Sequence, residues 1–360
     1  MKDYSYDLPQ ELIALEPAVP RDSSKLLIYN TKDDSVVFDI FANISNYIPA
    51  KSLMVLNSTR VLPSRIMMRK KSTNGKIVVL VLLNEKNTKG TVFIILDRKA
   101  NSGEILALDG REIFEVISQK EGGIFEAKIL ITESDLIDLL EQKGNMPIPL
   151  YLRKTKLTNS ELGEKYQTVF AKITDPKTAK GSENPLGSVA APTASLHFTE
   201  EVFKRLKEKN VHTAKVNLEV GLGTFAPINS ENLSKGVLHK EWFSIEKEEK
   251  CKIIEAKDNR LGILACGTTV VRALESWGGT EESVEGEKYV STNIFIRPGH
   301  NFQMVDMLLT NFHLPNSSLM MLVEAFLQSK NASKSLKNLY QIAIERRFRF
   351  FSFGDAMLII

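Results

Sequence analysis

"KIVVLVLLNEKNTKGTVFIILDRKANSGEILALDGREIFEVISQKEGGIFEAKILI", residues 76–131, decides the fold. Five short apolar, β-branched runs follow one another at close, even spacing, cut by Gly, Asn and Lys in "NEKNTKG", "DRKANSG" and "KEGG". That pattern predicts an antiparallel sheet or small barrel. The period then changes. Thr132 is placed to cap a helix with Asp135 three residues on, Leu136, Ile137, Leu139 and Leu140 form its stripe, and Gly144 closes it. The block ends at "NMPIPLY".

On both sides the texture is mixed. Upstream, "KLLIYN" and "SVVFDI" flank a "TKDD" turn and "LMVLN" follows. Downstream, Thr199 caps a helix "EEVFKRLKEKN", "KVNLEVG" reads as a strand, and "SIEKEEKCKIIEAKDN" as a solvated amphipathic helix. "LGILACGTTVVRALESW" reads as a buried strand, a Gly turn and a helix capped by Thr268 or Thr269. "TNIFI" is a further strand, "NSSLMMLVEAFLQ" and "SKSLKNLYQIAIERR" are helices, and "DAMLII" a closing strand. Alternating strands and helices predict an α/β layer. The fold expected is therefore α/β: a discontinuous α/β domain from 1–65 and 150–360, with 66–149 inserted as an antiparallel β-barrel-like domain.

A chain of 360 residues with 43% hydrophobic content is long enough for two ordinary cores. Lys and Arg number 47 against 44 Asp and Glu, so any nucleic-acid surface must be a local patch. Cys251 and Cys266 have no metal-type spacing, and "MKDYSYDLPQEL" has no signal-type apolar core. No run approaches the roughly 18 apolar residues of a membrane span. These features predict a reduced, cytoplasmic protein with no membrane partner.

Several stretches carry chemistry. "ILACGTTVVR" places Gly267, Thr268 and Thr269 at a strand-to-helix junction, where free N–H groups and the helix dipole favour an anion, although a plain βα turn looks the same. "EVGLGTFAP" sets Gly221 and Gly223 after a strand, but Ala226 stands where a dinucleotide fingerprint needs its third glycine. "VDMLLTNFHLPNSS" gathers Asp306, Thr310, Asn311 and His313 near a Pro stop, an acid–base cluster or a loop histidine satisfied by backbone. The five histidines show no H-x-x-x-H pair, so no zinc site is expected, and G-x-S-x-G is absent. In "ERRFRFFSFGDAM", Arg346, Arg347 and Arg349 alternate with Phe348, Phe350, Phe351 and Phe353: phosphate contacts with a base-stacking platform, or a core segment. "RIMMRKK", from Arg65, is a second basic cluster. "GSVAAPTASLHF", residues 187–198, fits neither period; its small residues leave backbone accessible and Pro192 fixes a turn before His197.

In this order, "YDLPQELIALEPAVPRDSSKLLIYN", "LNSTRVLPSRI", "YQTVFAK", "GSVAAPTASLHF", "VGLGTF", "LHKEWF", "CGTTVVRALES", "TNIFIRPG", "VDMLLTNFHLPNSSLMMLVEAF" and "RFFSFGDAM" resemble the motifs of the S-adenosylmethionine:tRNA ribosyltransferase-isomerase family. They run from Tyr6 to Met357. The resemblance implies queuosine biosynthesis. S-adenosylmethionine serves as a co-substrate, with no permanently bound cofactor, and its ribosyl part moves to the 7-aminomethyl group of a 7-deazaguanine at the tRNA wobble position. Epoxyqueuosine-tRNA forms, and adenine and methionine leave. The partner implied is the tRNA anticodon stem-loop, and no protein partner is implied.

The resemblance also places a site. His197, His313, Asp306, His239 and Glu219 are its acid–base candidates. Thr193, Gly221, Gly223, Thr224, Phe225, Gly267, Thr268, Thr269, Arg272, Thr310 and Asn311 are candidates for S-adenosylmethionine, and Arg65, Arg346, Arg347 and Arg349 for RNA. The chain departs from the family pattern at Glu219 and Gly236, where histidines are usual, and at Ser58, Ser195, Arg297 and Glu324. The polar stretch "ITDPKTAKGSENPL" is extra. A divergent paralogue with another donor or acceptor, and a non-catalytic RNA-binding protein, are the alternatives.

Overall fold

The computed structural model describes residues 4–87, 90–120, 123–171, 187–221, 235–279 and 289–360. In chain order the strands are β1 (Lys25–Asn30), β2 (Ser35–Ile40), β3 (Leu53–Asn57), β4 (Arg65–Lys70), β5 (Lys76–Asn87), β6 (Thr91–Leu96), β7 (Ile105–Leu108), β8 (Arg111–Gln119) and β9 (Ile124–Ile129). They continue with β10 (His212–Glu219), β11 (Glu241–Ser244), β12 (Ile263–Cys266), β13 (Val290–Thr292), β14 (Met307–Asn311) and β15 (Ala356–Ile359). The molecule is α/β. One nine-stranded sheet has the order β13-β11-β10-β3-β12-β14-β15-β1-β2, and a closed antiparallel barrel has the order β4-β5-β6-β9-β8-β7.

β10, β3, β12 and β14 run parallel at the centre of the sheet. A parallel strand covered by helices on both faces must be apolar at every position. "LMVL", "ILAC" and "MLL" meet that demand and are buried throughout. On one face lie helices Lys247–Asp258, Thr268–Trp277, Ser318–Ser329 and Leu336–Glu345, packed on Val55, Val216, Ala265 and Leu308. The other face buries Met54, Leu56, Leu264 and Leu309 against Phe41, Ile44 and the helix Glu200–Glu208.

The barrel follows the other rule. β6 alternates partly buried and buried residues, and Val92, Ile94 and Leu96 join Ile66, Val79, Phe114 and Phe125 in a separate core. "RIMMRKK" is its first strand: Ile66 and Met68 point inward while Met67 and Arg69 face out. β4 closes the barrel on β7. Chain entry and exit coincide, because Arg65 and Asn145 exchange both backbone hydrogen bonds, at 3.1 and 2.7 Å. Helix Glu133–Lys143 begins with Asp135 N donating to Thr132 Oγ1 and ends at Gly144. A Cβ at Gly144 would stand 1.8 Å from the Pro63 carbonyl oxygen, so only glycine fits where the exit crosses the entry.

Two readings change. "TNIFI" is not a strand: β13 ends at Thr292, whose hydroxyl accepts from Ile294 N, and Asn293 O accepts from Leu238 N. The backbone leaves the ladder there while Phe295 and Ile296 sink into the core. Neither Thr268 nor Thr269 caps its helix; the N-cap is Gly267, at φ +97°, with no side-chain cap.

Both chain ends meet in the sheet. β15 runs antiparallel to β14 and parallel to β1, so the C-terminus wedges between the N-terminal hairpin and the central strands. Asp355, just before β15, is 1% exposed; its carboxylate accepts from Lys25 N, from Arg349 N and from the Arg349 guanidinium. Removing it strands two backbone donors and a charge. Asp355→Ala is expected to destabilise the chain by roughly 3 kcal/mol in urea unfolding, and Arg349→Met in that background to restore part of it. A loss under about 0.5 kcal/mol refutes the clamp.

Candidate active site

β12 and β14 end on the same edge of the sheet. After Cys266 the chain turns through Gly267, whose N–H donates to Leu309 O at 2.7 Å, and starts helix Thr268–Trp277. The positive φ is a conformation in which a Cβ is strained, which accounts for the glycine. After Asn311, the loop Phe312–Asn316 leads to Ser317, which caps helix Ser318–Ser329 by accepting from Met320 N. Two helix N-termini therefore open on one place.

Between them is a cavity of about 270 Å³. Its walls include Thr193, Gly267, Thr268, Thr269, Thr310, Asn311 and His313, so three stretches far apart in sequence meet there. Thr193 Oγ1 donates to Asn311 Oδ1 at 2.8 Å, fastening "GSVAAPTASLHF" to the end of β14. Sequence reasoning missed Tyr151, Phe351 and Ser352, which complete the wall, with Tyr151 and Ser352 hydroxyls 2.6 Å apart. Tyr151 had only its place at the end of a Pro-rich connection as a signal, whereas Phe351 and Ser352 stand in "RFFSFGDAM", where the Arg–Phe alternation pointed to RNA rather than to the cavity.

His313 is half-buried beside Thr310, with Nε2 and Thr310 Oγ1 2.9 Å apart. Burial, with the Arg272 charge behind it, pushes the imidazole down from 6.5 to about 3, so it is neutral at physiological pH. Its backbone is gripped from both sides: Tyr6 Oη donates to His313 O, and His313 N donates to Tyr340 Oη at 2.7 Å. Desolvation holds both phenols well above their ordinary range, and both stay protonated.

Other candidates lie elsewhere. His197 is 4% exposed on the opposite face of the sheet, with Nδ1 2.8 Å from Ser24 Oγ and its ring against Phe41. Burial lowers it to about 3. Asp306 precedes β14 at the far edge, where its carboxylate accepts from Ile263 N; five residues of strand put it on the order of 16 Å from Asn311. Arg272 is 3% exposed and held bidentately by Glu241, at 2.8 and 3.1 Å. With Gly221 and the exposed His239 it lines a small crevice. Gly223, Thr224 and Phe225, and the extra residues 173–186, lie outside the described residues.

Glu219, at the end of β10, accepts from Thr59 Oγ1 at 2.7 Å and from Asn217 Nδ2 at 3.1 Å. Burial outweighs those bonds and raises its carboxyl from 4.5 to about 7. Arg346 is exposed over the Phe38 ring at 4.8 Å, Arg347 is exposed beside it, and Arg65 pairs through its backbone with Asn145. Arg349 is committed to Asp355. Phe348, Phe350, Phe351 and Phe353 are all buried, between 0 and 7% exposed. They form core rather than a stacking platform, because each phenyl ring removed from water is worth about 2 kcal/mol. A larger hollow of about 700 Å³ lies at the opposite edge, between β10 and helices Glu200–Glu208 and Lys247–Asp258; none of the candidate residues lines it. Among the described residues no cluster of metal-ligating side chains occurs, and no helix is long and apolar enough to cross a membrane.

The buried Glu219 carboxyl ties stability to pH. The folded carboxyl binds its proton more tightly than the unfolded one, so the associated stability is full below pH 4.5 and is lost as pH rises through 7. Glu219→Gln is expected to match wild type at pH 4.5 and to exceed it at pH 8.5 by up to roughly 3 kcal/mol. Urea titrations at the two pH values check this, and parallel curves contradict it.

The family described as "Queuosine biosynthesis protein" matches residues 1–359. Proteins named S-adenosylmethionine:tRNA ribosyltransferase-isomerase from Sulfurihydrogenibium sp. and Thermoanaerobacter sp. are each 38% identical, over 100% and 99% of this chain and 99% of their own length. The crystal structure of S-adenosylmethionine tRNA ribosyltransferase from Thermotoga maritima is 29% identical with a TM-score of 0.52, covering 99% of both chains. With a family match over nearly every residue and relatives aligned end to end, the chain belongs to the queuosine biosynthesis protein family, that of the S-adenosylmethionine:tRNA ribosyltransferase-isomerases.

Proposed function

We propose that this chain transfers and isomerises the ribosyl part of S-adenosylmethionine onto the 7-aminomethyl group of 7-deazaguanine at the tRNA wobble position, in the cytoplasm. Epoxyqueuosine-tRNA forms with release of adenine and methionine. The observation that carries this reading is the cavity at the ends of β12 and β14, built from the "APTASLHF", "CGTTVVR" and "LLTNFHLP" stretches in a chain related to such enzymes along its whole length.

The reaction needs a proton removed beside the sulfonium, adenine leaving, and a neutral attacking amine. His313 is the one imidazole, carboxylate or ammonium among the described residues lining the cavity. The Tyr151 phenol there is pushed up to about 12 by burial. We assign the proton-accepting step to His313, which is neutral and therefore ready to accept, with Thr310 orienting its ring. We take 66–149 as an inserted domain and Arg65, Arg346 and Arg347 as contacts to tRNA phosphates, because the barrel leaves the sheet from the end of β3, on the edge where the cavity lies.

Purified protein, incubated with S-adenosylmethionine and tRNA bearing the 7-aminomethyl base, is expected to release adenine and to yield a nucleoside of epoxyqueuosine mass. Adenine release without tRNA modification points to a changed acceptor, and no release excludes the activity. His313→Ala is expected to keep tRNA affinity and to lose at least about 100-fold in turnover. Unchanged turnover removes His313 from the chemistry.

A further inference from the structure

We propose that Thr269 and the N-terminus of helix Thr268–Trp277 form an anion subsite that takes the methionine carboxylate of S-adenosylmethionine, making Thr269 a specificity-determining residue; this rests on the function proposed above. Two independent features meet here. The first is the helix end. Its N-cap is a glycine, no side chain caps it, and the first helical residues line the cavity, so N–H donors and the positive end of the dipole face the ligand space.

The second feature is the Thr269 hydroxyl. Thr269 is 7% exposed and lines the same cavity, yet its Oγ1 has no hydrogen-bond partner. The hydroxyl lies only 3.7 Å from where a Cβ on Gly267 would stand, so it sits over the helix start rather than out along the helix flank. A buried hydroxyl without a partner is costly unless something else satisfies it. A carboxylate oxygen against the helix end does so and accepts from backbone N–H groups as well.

The surroundings select the anion. No Lys or Arg is among the described residues lining the cavity, and the nearby Arg272 is held by Glu241. A tRNA phosphate carries a sugar on each side and cannot bring its oxygens to a group nine-tenths buried. A carboxylate on the flexible arm of methionine can. Helix Ser318–Ser329 opens on the same space through Ser317, adding a second dipole of the same sign.

The test is a binding comparison with S-adenosylmethionine and its decarboxylated analogue, which keeps the sulfonium and adenosine. Wild type is expected to bind the analogue at least about tenfold more weakly. Thr269→Val, isosteric and relieved of an unsatisfied hydroxyl, is expected to melt no lower than wild type. It is expected to lose about tenfold in affinity for S-adenosylmethionine, and nothing for the analogue or for tRNA. Equal loss for both adenosyl compounds, no loss for either, or a loss confined to tRNA overturns the subsite while leaving the proposed function standing. A wild-type chain that binds neither compound overturns the parent reading and the subsite with it.

Discussion

The hydrogen-bond ladder of Ala356–Ile359 holds the molecule together. One side of this strand pairs with Leu26–Tyr29 and the other with Leu308–Asn311, so the last residues of the chain close the gap between the first strands and the centre. On its β1 side this ladder joins residues 330 positions apart, as Leu26 to Ala356. It therefore bears the largest loop-closure entropy in the fold. Asp355 offsets part of that cost by accepting from backbone on β1 and from Arg349 at once. The same closure brings Phe351 and Ser352 to the rim of the cavity, because Ala356 is registered opposite Asn311.

The electrostatic character of the site follows from that geometry. Parallel strands deliver their following helices to one edge, and each helix presents its N-terminus there. Two such ends converge on a cavity whose described lining is apolar, hydroxylic or amide apart from the neutral His313 imidazole, and carries no formal charge. Positive potential is thus supplied by backbone, while the nearby guanidinium of Arg272 is engaged by Glu241. His313 is neutral for a separate reason: burial, and after it the Arg272 charge, act against its protonation, and the two tyrosines fix its backbone without adding charge.

Much of this was legible in the amino-acid order. The barrel was written in even runs of β-branched residues, and the central strands in unbroken apolar stretches, since each architecture imposes its own burial period. The caps at Thr132 and Thr199 are local and were readable for the same reason. Even the composition of the cavity wall was visible in part, because small residues, Gly267 and the threonines stand in short contiguous stretches.

The amino-acid order specified most of the elements, their succession, and the change from mixed to β-rich texture and back; each of these depends on neighbours within a turn or a strand, and short strands such as Glu241–Ser244 carried too little pattern to be read. Which polar groups face the cavity was settled by how elements distant in sequence cross. His197 lies four residues from Thr193, yet the 3-10 turn Thr193–Ser195 sends the two to opposite sides of the sheet. Asp306 lies five residues from Asn311, yet a strand separates them by its whole length. Tyr6 and Tyr340 reach His313 from the two ends of the chain. The aromatic residues of "RFRFFSF" became core because the closing ladder buried them. Side-chain direction is set by the register and crossing of elements distant in sequence, and local pattern does not encode it.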